Sequence, residues 1–137
     1  MTNPADGELR QLFRTSRTVA VVGLSPDRMR ASNGIARYLQ RSGLRVIPVN
    51  PNETEVLGEK SYPSLRDVPV PVDIVDVFRR PEFLPAIAAD ALAIGAKALW
   101  MQQGIANAEA AAIATQGGLL VIQDRCIMIE HMRLGGS

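Results

Sequence analysis

The residues with the clearest chemistry lie in one stretch, where the turn Gly23-Leu24-Ser25-Pro26 runs through a basic segment carrying Arg28 and Arg30 to Ser32. An apolar run from Val19 to Val22 comes before it, too short for a helix and unbroken by polar residues, as in a strand buried on both faces. Ser32 is a good N-cap for a helix over Asn33 to Ser42. A strand, a glycine turn and a capped helix bring free backbone N–H groups and the positive end of a helix dipole to one point. Arginine adds a forked donor that matches phosphate oxygens. The chemistry expected here is binding of a phosphorylated ligand; the plainer alternative is a solvated surface crossover.

Other strand ends carry further candidates. Pro51 biases Asn50 toward an extended backbone, so Asn50 either offers its amide to an adenine edge or ribose, or stabilises a turn. Phe78-Arg79-Arg80-Pro81 combines an aromatic face, guanidinium groups and a helix start. An adenine could pack on Phe78 while an arginine holds phosphate; otherwise Phe78 is core and the arginines are solvated. In Gln102-Gln103-Gly104-Ile105, Gly104 permits close backbone approach. Trp100, inside an apolar strand, reads as core. Cys126 is either a small buried hydrophobe or a thiol near a ligand's reactive end. His131, the single histidine, has no evident sequence partner, does not share a helical face with Cys126, and is expected at the surface. No metal-ligand spacing appears, and no residue is assigned a catalytic role.

These residues need a scaffold that gathers strand ends. Leu9, Leu12 and Phe13 share one face of a short helix over Asp6 to Phe13. After the opening strand and helix, Gly43 is expected to stop the helix, and a second strand covers Leu44 to Asn50, with Pro48 placing it at an end or edge of the sheet. A loop with a short helical turn near Ser64 to Asp67 follows. Strands are expected over Asp73 to Phe78, Ala98 to Met101 and Leu119 to Gln123. The helix after Phe78 should run to Ile94, with an irregular first turn because of Pro85. Asn107 caps a helix over Ala108 to Gln116, and Cys126 to Leu134 is a short helix or an irregular tail. Strands alternating with helices predict a single domain over residues 1–137, an α/β Rossmann-like, doubly wound parallel sheet of about five strands in three α/β/α layers. Ligands in such sheets bind at the carboxyl ends of the strands.

Composition narrows the function. The 137 residues are 47% hydrophobic, enough for one core. A net charge of +1 and 4% aromatic residues speak against a nucleic-acid surface. One cysteine excludes an internal disulfide and suits a reducing compartment. The first fourteen residues do not read as a signal peptide, and no apolar run approaches a membrane span. A cytoplasmic protein is expected. The dinucleotide fingerprint G-x-G-x-x-G with an acidic residue ending the second strand is missing: Gly23 has no close second glycine, and the second strand ends in Asn50-Pro51. That departure counts against NAD.

Val22-Gly23-Leu24-Ser25, Arg30-Ala31-Ser32, Pro48-Val49-Asn50-Pro51, Asp76-Val77-Phe78-Arg79, Leu99 to Ile105 and Asp124-Arg125-Cys126 together resemble the small stand-alone CoA-binding proteins. Those are similar to the N-terminal CoA-binding domain of the succinyl-CoA synthetase α subunit. The resemblance runs from about Leu12 to Leu134 and implies coenzyme A, or an acyl-CoA, across the strand ends. It implies that the Gly23–Ser25 turn with Arg30 to Ser32 holds phosphates, that Asn50-Pro51 and Phe78-Arg79 border the nucleotide, and that Gln103-Gly104-Ile105 lines the pantetheine path. The synthetase domain with the phosphorylated histidine has no counterpart here, so His131 is not given that role. The expectation is a CoA-binding carrier, sensor or partner subunit without a catalytic centre. Rivals are a nucleotide-dependent oxidoreductase or acyltransferase in the same crevice, and a redox protein forming a Cys126–CoA mixed disulfide. A homodimer or another protein partner stays open.

Overall fold

The computed structural model describes residues 2–134. Five parallel strands form the main sheet: β1 (Thr18–Val22), β2 (Arg45–Val49), β5 (Ile74–Val77), β6 (Ala98–Met101) and β7 (Leu120–Ile122). Their spatial order is β2-β1-β5-β6-β7. Two short antiparallel strands, β3 (Glu55–Val56) and β4 (Glu59–Lys60), form a separate hairpin.

The period-2 alternation of the strands sorts their side chains into two cores. Val19, Val21, Ile74 and Trp100 pack on one face with Leu9, Leu12 and Phe13 of α1 (Asp6–Thr15), Ile35 and Leu39 of α2 (Ala31–Arg41) and Ile127 of α5 (Ile127–Arg133). Ala20, Val22, Val75, Val77, Leu99 and Met101 pack on the other with α3 (Leu84–Ala93) and α4 (Ala108–Gln116). Alanines face inward from α3 and α4, at Ala88, Ala91, Ala110, Ala111 and Ala114, so both helices lie close to the sheet. This is the expected three-layer α/β Rossmann-like sheet. The chain leaves β1 for β2 on one side, then crosses back to β5 on the other, so the order reverses between β1 and β5. A crevice opens outside the carboxyl ends of strands at such a reversal.

Several local expectations hold. Trp100 is fully buried. Pro48 lies on the edge strand β2, where its carbonyl accepts from the Tyr62 N–H outside the sheet, so its missing N–H interrupts no ladder. Helical turns occupy Leu65–Asp67 and Pro81–Phe83, the second being the irregular entry to α3. Cys126 to Leu134 contains a helix, α5.

Three differ. Residues 55–60, read as loop, form the β3–β4 hairpin, whose tip Leu57-Gly58 has φ of 55° and 79°, the twist a two-residue hairpin turn needs; strands of two residues are too short to show a period. α2 starts at Ala31 rather than Asn33, with Arg30 in the cap position and Ser32 within the first turn. The Ser32 hydroxyl accepts the Ser25 N–H at 3.0 Å instead of capping its own helix. His131, expected at the surface, is 5% exposed. It packs edge-on against Phe13 and Tyr38 and shares a 2.7 Å hydrogen bond between its Nδ1 and the Tyr38 hydroxyl. Those partners lie on α1 and α2, so sequence neighbours could not reveal them.

Candidate functional site

At the β1–β5 reversal the backbone itself makes the site. The Gly23 N–H donates to Val49 O at 2.9 Å, and the Phe78 N–H to Val22 O at 2.8 Å, so the turn is bonded on both sides. Gly23 has φ +88°, and a Cβ there would meet Phe78 O at 2.8 Å and Arg79 Cδ at 3.2 Å. Only glycine fits both demands. Leu24 is fully buried and pins the turn to the α1–α2–α5 core.

Beyond Leu24 the loop is held by a chain of side-chain bonds. The Ser25 carbonyl accepts Asn33 Nδ2 at 2.9 Å. Asp27 N–H donates to Ser25 Oγ, Met29 N–H to Asp27 Oδ1, and Arg37 Nε to Asn33 Oδ1. Asn33, 1% exposed, is the post of this loop, and sequence reasoning missed it. The available signal was an asparagine on the inward side of an amphipathic helix, where an apolar residue is usual. Asn50 braces the loop from β2: its Nδ2 donates to Leu24 O at 3.0 Å and its Oδ1 accepts the Asn52 N–H at 2.9 Å. Removing these two bonds by Asn50→Ala should cost about 1–3 kcal/mol, measured as a lower urea midpoint with unchanged m-value.

A cleft of about 350 Å³ opens between the turn and α2, lined by Gly23, Ser25, Arg30, Ala31, Ser32 and Phe78. Five of those six were singled out from the sequence. With the Ser25 N–H given to Ser32 Oγ, the donors left facing the cleft come from α2, whose first turn has no side-chain cap and no acidic residue. Arg30 is exposed and half-buried Phe78 forms one wall. Among the described residues no ion pair engages Arg28, Arg30, Arg79 or Arg80, so the positive charge around this end of the sheet is not neutralised internally. Arg79 stacks over the Phe83 ring with its Cζ 4.1 Å from the centroid.

The other candidates sit at neighbouring strand ends rather than in the cleft lining. Gln103 and Gly104 are exposed and Ile105 half-buried in the loop after β6. Gly104, φ +87°, gives its N–H to Asp124 Oδ1 at 2.6 Å, while the Asp124 N–H returns to Ile105 O, tying this loop to the one after β7. Pro51 is exposed beside Asn50. Cys126 is 8% exposed at the start of α5 and packs in the α1–α2–α5 core.

Beneath Phe78 lies an unusual group. Asp76, two residues earlier on β5, is fully buried between Val21 and Trp100 of the adjoining strands, and neither carboxyl oxygen has a hydrogen-bond partner. Burial pushes its carboxyl well above the usual carboxylate range, because a charge there would be cut off from water. Among the described residues no cluster of metal-ligating side chains forms, and no helix is long and apolar enough to cross a membrane.

Known proteins resemble this chain in sequence and fold. A family profile described as a CoA binding domain matches residues 17–132. The uncharacterized protein YneT of Bacillus subtilis is 41% identical over 131 residues, which covers 96% of this chain and 97% of that protein. The ADP-forming acetate–CoA ligase II of Archaeoglobus fulgidus is 33% identical over 92 residues, 66% of this chain but only 14% of that protein's length. Among solved structures, a hypothetical protein from Pyrococcus horikoshii superposes with a TM-score of 0.93 at 38% identity, covering 98% of this chain and 97% of that one.

Proposed function

The chain belongs to the CoA-binding domain family, and from that premise we propose that it binds coenzyme A or an acyl-CoA at the β1–β5 reversal, with no catalytic centre of its own. Its role is that of a cytoplasmic carrier, sensor or partner subunit. The observation that carries this reading is the cleft in which Gly23, Ser25, Arg30, Ser32 and Phe78 converge beside the uncapped start of α2. An anion there gains the helix dipole and a free guanidinium, in a loop already held rigid by Asn33 and Asn50.

In this reading Arg30 and the first turn of α2 hold the diphosphate, with the Gly23-Leu24-Ser25 backbone as its seat. Asn50-Pro51, Phe78 and Arg79 border the nucleotide. The pantetheine arm runs across the strand ends toward Gln103-Gly104-Ile105, with Cys126 beyond. Because this chain spans so little of the acetate–CoA ligase, the ligase reaction of that longer protein is not carried over to it.

Calorimetric titration with CoA, acetyl-CoA, NAD and ATP tests the proposal. CoA and acetyl-CoA should give saturable heats well above those of NAD; tight NAD binding without a CoA response would overturn it. Arg30→Ala should weaken CoA by about 1–3 kcal/mol, the worth of one charged hydrogen bond. Arg30 is exposed and its side chain makes no hydrogen bond or ion pair among the described residues, so the variant's melting temperature should stay within about 1–2 °C of the parent, as expected for an exposed surface change.

A further inference from the structure

The opposite, amino-terminal end of the sheet holds a second basic cleft, of about 450 Å³. Arg14, Arg17 and Arg45 line it together with Ser16, and Phe13 and His131 form part of its wall. No acidic residue lines it. Arg14 lies in the last turn of α1, Arg17 in the link to β1, and Arg45 opens β2. Arg45 forks onto Glu59 through two long contacts, Nε to Oε2 and Nη2 to Oε1, each 3.4 Å, and Arg14 donates to the neutral Gln11 side chain. The Arg17 guanidinium has no acceptor among the described residues. Asp73 bonds the Arg17 backbone rather than its side chain: it accepts the Arg17 and Thr18 backbone N–H groups and sits 3.4 Å from Lys97 Nζ.

Arginines near helix carboxyl ends often serve only to complement the dipole. Here those ends are already served. Lys97 Nζ donates to Thr15 O at the end of α1. The Ser42, Gly43 and Leu44 N–H groups close the end of α2 onto Tyr38, Gln40 and Leu39. Arg17 and Arg45 lie outside any helix. A second observation is independent of charge: Ser16 is 7% exposed and lines this cleft, and its Oγ is buried beneath the cleft surface with no hydrogen-bond partner. A buried hydroxyl without a partner carries an energetic cost that a ligand acceptor would relieve.

We propose that this cleft binds a compact polyanion of the linear polyphosphate type, either inorganic or the phosphate chain of a nucleotide. The Arg14, Arg17 and Arg45 guanidinium groups grip its oxygens, and Ser16 Oγ, buried just beneath the floor, turns about χ1 to donate to it. Three guanidinium groups within one small cleft suit several linked phosphate charges better than a single carboxylate. The site lies at the other end of the sheet from the proposed CoA cleft and stands or falls independently of it.

The test is a ¹H–¹⁵N titration of the full chain with inorganic triphosphate and, separately, ATP. Both should shift Ser16, Arg17, Thr18 and Arg45 saturably and to the same endpoints. Arg17→Gln should weaken triphosphate about tenfold or more, and Ser16→Ala several-fold. Arg30→Ala should leave the Ser16, Arg17, Thr18 and Arg45 shifts unchanged. Ser16→Ala removes only an unpartnered hydroxyl, so its fold should persist, and its unshifted spectrum elsewhere checks this. Shifts confined to the Gly23–Ser32 loop, linear unsaturating shifts, Ser16→Ala titrating like the parent, or a response to ATP alone would each overturn the proposal.

Discussion

Gly23→Ala is expected to lower stability by about 2–5 kcal/mol and to cut CoA affinity at least tenfold. Two costs add. An L-residue at φ +88° leaves its preferred region, worth about 1–2 kcal/mol. The new methyl would also stand 2.8 Å from the Phe78 carbonyl oxygen, a backbone atom that cannot rotate aside. Relief requires β1 and β5 to part at their carboxyl ends, and overpacking of that kind costs about 1–3 kcal/mol. Parting them also moves Phe78 away from the cleft wall and loosens the Phe78 N–H to Val22 O bond. Urea denaturation gives the stability loss and calorimetry the affinity loss. An alanine variant with both properties intact would mean that the turn is not the rigid seat described above.

The second large effect concerns Asp76. Burial opposes the charge and raises its carboxyl well above the ordinary range in the folded protein, whereas in the unfolded chain it ionises near the ordinary value of about 4. Below that value both states are protonated and the contribution to stability is fully present. Above it the native state binds more protons than the unfolded one, so stability falls as pH rises, by up to about 1.4 kcal/mol per pH unit, until the folded carboxyl itself ionises. Asp76→Asn keeps the shape and a neutral polar group while removing this dependence. The variant should match the parent within about 1 kcal/mol near pH 4, since one uncharged buried polar group replaces another. It should become progressively more stable than the parent toward pH 8. Parallel stability curves for the two proteins across that range would show that Asp76 ionises alike in both states. Nothing in the fold requires a carboxyl in this strand, whose other buried residues Ile74, Val75 and Val77 are apolar.

Strands and helices were legible because the sheet strands are buried on both faces, so their runs are mostly apolar, and because glycines and prolines mark the ends. The Gly23 turn was legible for the same reason: a strand, a glycine and a helix in close succession leave few alternatives. What escaped was decided by partners far along the chain. Ser32 looks like a helix cap until the Ser25 N–H arrives from seven residues away to claim its hydroxyl. His131 looks like a surface residue until Tyr38, 93 positions earlier, bonds its ring. Asn50 left two readings open, and its amide is engaged by Leu24 and Asn52. Asn33 and Asp76 carry no local pattern, since their importance lies in what surrounds them once the layers close.

The central claim is that the β1–β5 reversal seats the diphosphate of CoA. A crystal soaked in CoA tests it most directly. The account predicts the diphosphate against the Gly23–Ser25 backbone and the first turn of α2, with the Arg30 guanidinium on its oxygens. An empty cleft at saturating CoA, with Arg30 turned to solvent, would contradict it.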